Sequence, residues 1–476
     1  MRKAISSCIF FYIYLTPAFS QVFPINPIYN SIVEQVNLDS SYGIHTSLKP
    51  VMDEAFYPIL KNGWGATTSK SKSKAIRHLT NNHLLEYDKD DVYVTLDPLL
   101  DLTFMYDESD TSALGNLFSN WRGLRCAGRL GKQVSFQTDF VEVQTRPVYW
   151  QRQWIDANGV YQGFGRVKPY QVDAYDFAVS TGSLQYQPLN SLTLRIGSER
   201  QFIGNGYRSM LWSDAIFPTP YLQARWTAPG KKWQYSSGFH LLQTLERLPK
   251  GEVPESLFKR KGASVNYFSF KPWKGAEMGF FESVIWNMYD STGSHGPDAG
   301  AYIPLLGVNS LLQAKDTVNN CIVGVNVSQR VHRKIMLYGQ VVLDHRKAKR
   351  MGWQTGCRIF DPGLKGLNLL IEWNHCSPYL YAFESPLQSY SHVQQPIGHP
   401  AGGSLDEWIV RLEYRRNRLQ GRVHFSYLEQ EIGAGADVMS LPQNAMQTFA
   451  PSPYRTLLNS SAELAFVINP AYSLEI

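Results

Sequence analysis

Between residues 91 and 107 apolar and polar side chains alternate for longer than a globular strand usually lasts. Val92, Val94, Leu96, Pro98, Leu100, Leu102, Phe104 and Tyr106 share one face. Asp91, Thr95, Asp97, Asp101, Thr103 and Asp107 share the other, with Tyr93, Leu99 and Met105 among them. Period two marks a strand with two different environments. Globular strands average about 5–6 residues, whereas a tilted membrane strand needs about 9–11 and extends past the hydrocarbon. The pair flanking Asn417 repeats the pattern, with Trp408, Val410, Leu412 and Tyr414 set against Glu407, Arg411, Glu413 and Arg415. Leu419, Val423, Phe425 and Tyr427 are set against Gln420, Arg422, His424 and Ser426. Charges of both signs thus fall on one side of this hairpin. That side is solvent in a sandwich and a polar lumen in a barrel, and alternation alone does not choose.

Composition and punctuation do choose. With 18% charged and 13% aromatic residues in 476, the chain is too apolar and aromatic for disorder. Its mean hydropathy of −0.27 is too polar for a helical membrane protein. The longest apolar stretch after the N-terminus, 299–314, is broken by Gly, Pro, Asn and Ser, so no helix there spans a bilayer. Residues 1–20 read as a signal peptide, with Arg2 and Lys3 before an apolar core at 8–15 and a small-residue site at Ala18-Phe19-Ser20. Short turns (131–132, 188–190, 229–231, 417–418) alternate with long connections (146–170, 203–219, 246–260, 289–317, 377–404, 431–457). Aromatics cluster near strand ends, as in interfacial girdles. The expectation is all-β: a transmembrane antiparallel β-barrel over 91–476, with about 18 strands when complete, in the outer membrane. Segment 303–314 reads equally as a strand or as part of a loop.

Residues 21–90 alternate poorly and contain a basic, Ser-rich stretch (Lys70, Lys72, Lys74, Arg77) and a helical stripe through Ile76, Leu79, His83 and Leu84. They are expected to form a small helical or mixed periplasmic segment with a plug-like role. Counting strands from 92 leaves 472–476 too short for a membrane strand, so the reading frame is expected to continue by roughly 25–40 residues. Cleavage after residue 20 removes two positive charges and takes the net charge from +6 to +4, which demands no nucleic-acid partner. Cys126, Cys321, Cys357 and Cys376 form no CxxC pair and read best as small apolar strand residues.

No catalytic signature stands out: there is no GxSxG, HExxH or phosphate-binding loop, and no paired Cys/His spacing. The expectation is a non-enzyme without metal or cofactor. Asp406 and Glu407 are neighbours on a strand and point to opposite faces. The most distinctive block is Phe202-Ile203-Gly204-Asn205-Gly206-Tyr207-Arg208-Ser209-Met210-Leu211-Trp212-Ser213-Asp214, followed by 217–221. Gly204 and Gly206 permit positive φ and a tight reversal, and Arg208 and Asp214 are placed to pair across the loop. Two roles stay open for Arg208: tying the loop to a lumen carboxylate, or contacting saccharide. An aromatic face covers an apolar sugar face, and a planar guanidinium suits acidic groups. The run 346–350 is basic and loop-borne.

This block, with Asn120-Trp121-Arg122-Gly123, Gly163-Phe164-Gly165-Arg166-Val167-Lys168, Tyr338-Gly339-Gln340 and the segment from Tyr390 through His392 to His399-Pro400, resembles the Wzi family of outer-membrane capsule-assembly proteins. His45 to Pro50 is similar to the Bacteroidota branch that includes the gliding-motility protein RemB. The resemblance implies an 18-stranded outer-membrane barrel with a periplasmic helical plug and a lectin-like role in retaining capsular polysaccharide. The expected ligand-contacting or loop-ordering residues are Tyr207, Arg208, Trp212, Asp214, Arg166, Lys168, His392 and His399. Gly163, Gly165, Gly204 and Gly206 are expected to shape the loops. The implied partners are capsular or other surface polysaccharide, lipopolysaccharide and outer-membrane lipid. The alternatives are a motility or secretion component that docks motility or export proteins, and a porin-like channel.

Overall fold

The computed structural model describes residues 33–35, 44–51, 73–108, 110, 116–248, 258–290, 293–294, 303–313, 319–345, 350–433, 435–439, 453–471 and 474–476. The expected signal peptide lies outside them. Nineteen strands pair as one antiparallel meander that wraps into a transmembrane β-barrel. Sixteen of these are long, from Val92–Met105 to Tyr454–Asn469, and each pairs with the next along the chain. Three short strands, Leu85–Lys89, Lys168–Tyr170 and Leu474–Glu475, extend the ladder.

The alternation read from the sequence sorts the wall into two faces. Tyr93, Thr95 and Asp97 are buried toward the lumen, while Leu100, Leu102 and Phe104 are exposed on the outside. Glu407 and Arg411 are buried inside, while Trp408, Val410 and Leu412 are exposed outside. Short turns at 131–133, 190–191, 228–232, 271–275, 333–334, 361–366 and 417–418 gather at one end, and the long connections at the other. Just above the short turns, Trp233, Phe268, Phe270 and Phe280 stack on the outer surface, as an interfacial girdle does.

The lumen is occupied. Leu48–Lys49 and Phe202–Ile203 pair as a two-stranded sheet within it. Leu48, Ile203, Met210, Leu211 and Trp212 form a core with wall residues Val265, Tyr267, Phe281, Ile322 and Val342. Glu277 of the wall accepts the backbone N–H groups of Thr46 and Ser47 at 3.0 and 3.3 Å. Residues 303–313 prove to be part of the long connection and not a wall strand, with Val308–Gln313 a short helix against the outer face. Cys126, Cys321, Cys357 and Cys376 are free thiols.

Candidate functional site

The site is organised by a polar row that becomes visible only once the strands are in register. Asn326, Gln340, Gln354, Asn374 and Glu407 stand directly opposite one another on five consecutive strands, all facing the lumen. They bond sideways, Gln340 Nε2 donating to Asn326 Oδ1 at 3.1 Å and Gln354 Nε2 to Asn374 Oδ1 at 2.9 Å. They also bond inward to the loop 203–214. Gln340 Nε2 donates to Ile203 O at 2.9 Å, and its Oε1 accepts from Met210 N at 2.8 Å. Gln354 Nε2 donates to Arg208 O at 2.9 Å. Beside the row, Glu372 accepts the backbone N–H groups of Tyr207 and Arg208 at 2.7 and 3.0 Å. Buried backbone groups must be paired, and here wall side chains pair those of a loop with little secondary structure of its own.

Arg208 resolves its two readings toward anchoring. Its guanidinium grips Glu407 through two hydrogen bonds of 3.1 and 2.8 Å. The expected ion pair with Asp214 is therefore replaced by one with the wall. Burial works against the Arg208 charge, but Glu407 outweighs it and holds the guanidinium above the usual arginine range. His399 reaches the same carboxylate through Nε2 at 2.8 Å, while its Nδ1 accepts from Ala401 N at 3.3 Å. That pairing has Nε2 donate to Glu407. Burial raises the Asp214 carboxyl above its ordinary value, with Arg200 and Lys49 opposing.

The expectation of positive φ holds for Gly204 (+148°), whereas Gly206 is required by space. A Cβ at 206 would meet Gln354 Oε1 at 2.5 Å and Glu372 Oε2 at 2.6 Å. Gly163 and Gly165 do take positive φ, at +79° and +92°.

Two cavities meet at this loop. A lumen cavity of about 610 Å³ is lined by Lys49, Arg208, Arg358, Arg411 and Arg422, together with Asp214 and Glu413. A larger one of about 1190 Å³ opens among the long loops and shares Arg208, Asp214 and Ala215 with the first. Its wall is the helix Tyr149–Asn158, which presents Trp150, Trp154 and Asn158 to it. Residues four apart share a helix face. The helix is fixed in place: Asp107 accepts Tyr149 N at 2.8 Å, Arg152 donates to Asp110 at 2.8 Å, and Tyr175 OH donates to Asp156 at 2.7 Å. Gly159 closes it in the left-handed region at φ +68°. Tyr161, Phe164, Gln151, Gln395 and Gln430 complete a lining of rings and amides.

The structure separates the residues expected to act together. Tyr207, Arg208 and Asp214 do line the lumen cavity. Trp212 does not: at 1% exposure its ring packs against His240 at 4.6 Å and Tyr390 at 6.3 Å, so it is a core side chain without a free face. His392 is buried too, its Nδ1 accepting from Gln243 N at 3.0 Å. His399 serves Glu407. Arg166 is exposed, with its guanidinium 4.7 Å from the Phe258 ring centroid, and neither it nor Lys168 lines either cavity. Of the basic run 346–350, Arg350 bonds Asp344 at 3.4 Å, and the rest lies outside the described residues. Trp150 and Trp154 were passed over in the sequence, although their i, i+4 spacing within a Gln-rich segment carries the signal. Among the described residues no cluster of His, Cys, Asp and Glu suits a metal ion.

No family model matches the chain, and no curated protein matches it. Among solved structures it is similar to Wzi of Escherichia coli, described as an outer-membrane protein of group 1 capsule assembly and a carbohydrate-binding β-barrel. That match has TM-score 0.52 and 12% identity over 92% of this chain and 96% of the other. OprD of Pseudomonas aeruginosa matches at TM-score 0.40 and 10% identity, over 79% of this chain and 84% of its own. A BenF-like porin from Pseudomonas fluorescens Pf-5 matches at TM-score 0.37 and 11% identity, over 79% and 88%. The likeness to Wzi extends over nearly all of both chains, and what it establishes is a shared barrel fold.

Proposed function

We propose that this chain is a non-enzymatic outer-membrane protein that binds surface polysaccharide at its long-loop end and retains it at the cell surface. The carrying observation is the 1190 Å³ cavity, which Trp150 and Trp154 on one helix face line together with Gln395, Gln430, Arg208 and Asp214. Indole rings offer flat apolar surface with a polar edge, and amides both donate and accept. That mixture suits a ligand whose faces are C–H and whose rim is hydroxyl. The reading is one of binding: the rings and amides are contact groups, and Glu407 and Arg208 are engaged with each other. The capsule-assembly role of Wzi accords with this reading. In the lumen cavity beneath, Arg208, Arg358, Arg411 and Arg422 are each paired with a carboxylate, so the reading extends to neutral and acidic polysaccharides alike.

The porin-like reading is disfavoured by the lumen segments 44–51 and 202–216, which are almost wholly buried among wall side chains. The test is to refold the full chain in detergent, probe it with a glycan array that includes acidic capsular polysaccharides, and record conductance in planar bilayers. Selective glycan binding by a silent barrel is the expected result. Steady conductance with no glycan bound would replace this proposal with a channel. Capsule retention that survives gene deletion while surface motility is lost would move the role to motility machinery.

A further inference from the structure

Glu282 stands on the wrong side of the wall. On the strand Ala276–Asn287 the odd positions face the lumen: Glu277 holds Ser47, and Phe281 joins the inner core. Glu282 therefore points outward, toward lipid, yet it is 1% exposed. Asn266, its partner across the ladder, is likewise outward and fully buried, and it bonds Ser237 at 2.8 Å. What covers this polar pit is the chain itself, at residues 303–313.

The covering segment has its backbone groups paired to a degree that water would not require. Ser310 N donates to Glu282 Oε1 at 2.7 Å. Ile303 N donates to Asn309 Oδ1 at 3.1 Å, and Ile303 O accepts from Asn266 and Asn309 side chains at 3.1 and 2.9 Å. Pro304 has no N–H, and its carbonyl accepts the Tyr235 hydroxyl at 3.0 Å. Leu305 O and Gly307 O accept from Val308 N and Leu311 N at 3.3 and 3.1 Å. Irregular backbone survives at membrane depth only where such groups are satisfied by protein. The outward side is the opposite in character: Leu305, Leu311 and Leu312 are 59%, 70% and 45% exposed. They continue the apolar surface to which outward Val327, on the neighbouring strand, belongs.

We infer that residues 303–313 form a membrane-immersed strap, whose three leucines contact acyl chains and whose polar underside is locked to the wall by Glu282 and Asn266. The strap itself lies down the outside of the barrel, against the strands Ala276–Asn287 and Asn320–His332. No described residue of the connection between residues 287 and 320 lines the cavity among the long loops.

The full chain in phosphatidylcholine liposomes, carrying a nitroxide at Leu311→Cys, provides the test. Val172→Cys, 59% exposed beside the long-loop helix, and Val327→Cys on the lipid-facing wall are the references. Collision with dissolved oxygen and with a soluble nickel chelate is measured at each. Leu311 is expected to match Val327, with at least fivefold less nickel collision than Val172 and high oxygen collision. Nickel access equal to that at Val172 would overturn the inference, and shielding from both probes would also overturn it by placing protein over the leucines. Glu282→Ala is expected to raise nickel collision at Leu311 at least threefold, and Glu282→Gln to raise it less. Asn309→Ala gives the same reading if Glu282→Ala fails to fold. No change in either variant would refute the lock.

Discussion

Two loops of this barrel are held by the same device on opposite faces of one wall. Inside, Glu372 accepts the backbone N–H groups of Tyr207 and Arg208. Outside, Glu282 accepts that of Ser310. In both places a strand carboxylate replaces the partners that regular secondary structure would give a loop. The difference lies in what surrounds them. The inner loop meets a row of wall amides and a second carboxylate, Glu407, which takes the Arg208 charge. The outer strap meets one wall asparagine, Asn266, and one tyrosine, Tyr235, while its own Asn309 reaches Glu282, with leucines on its far side. A lumen can be lined with charge because water and counter-charges are at hand, whereas an acid toward lipid persists only under complete cover. The inner loop is thereby a floor for the cavity among the long loops, and the outer strap is a seal.

Substitutions can break this comparison in graded steps. The largest effect is expected at Glu372→Ala, which leaves the Tyr207 and Arg208 amides and the Tyr338 hydroxyl without their acceptor, while the Asn374 amide keeps only Glu407. Each buried orphan costs about 1–3 kcal/mol, so the urea midpoint in lipid should fall steeply, and less for Glu372→Gln. Arg208→Ala comes next. It removes two charged hydrogen bonds worth roughly 1.5–3 kcal/mol, partly offset because His399 still serves Glu407. An unfolding midpoint equal to that of the parent would contradict the anchoring role. Gly206→Ala should cost about 1–3 kcal/mol by overpacking, since its methyl would press on Gln354 and Glu372.

Acidity tests the inner region alone. Burial holds the His392 imidazole at about 3, below its value of about 6.5 in an unfolded chain. Between those values the unfolded chain binds the extra proton, so stability falls as pH drops from about 6.5 toward 3. His392→Gln should flatten that part of the profile, and an unchanged slope would assign it elsewhere. The smallest expected effect is a coupling. Glu372→Gln and Glu282→Gln share no partner, so their costs should add within about 0.5 kcal/mol, and a larger interaction would mean the two loops communicate through the wall.

The sequence made the inner region far more legible than the outer. Alternation placed Glu407 and Arg411 in the lumen and Trp408 and Val410 on the outside, and the Gly204 to Asp214 block pointed to a built loop. What stayed hidden needed register: Asn326, Gln340, Gln354 and Asn374 look like unrelated polar residues until pairing sets them side by side. For the same reason the sequence offers nearby Asp214 or an unnamed lumen carboxylate as the partner of Arg208, and only register picks out Glu407, 199 residues away. Trp212 stands among the expected sugar contacts because an aromatic face covers an apolar sugar face, but the loop is folded inward and the ring completes the core. Glu282 violates alternation outright, and one strand alone offers no means of telling a sealed acid from a misplaced one.

The direct test of the account is the affinity of the full barrel, in detergent, for the polysaccharide that binds best on the array. It is measured by calorimetry for the parent, for Trp150→Ala combined with Trp154→Ala, and for Trp408→Ala on the outer surface. The account predicts at least a tenfold loss for the double variant, with the barrel still folded, and no change for Trp408→Ala. Equal affinity in all three would contradict it.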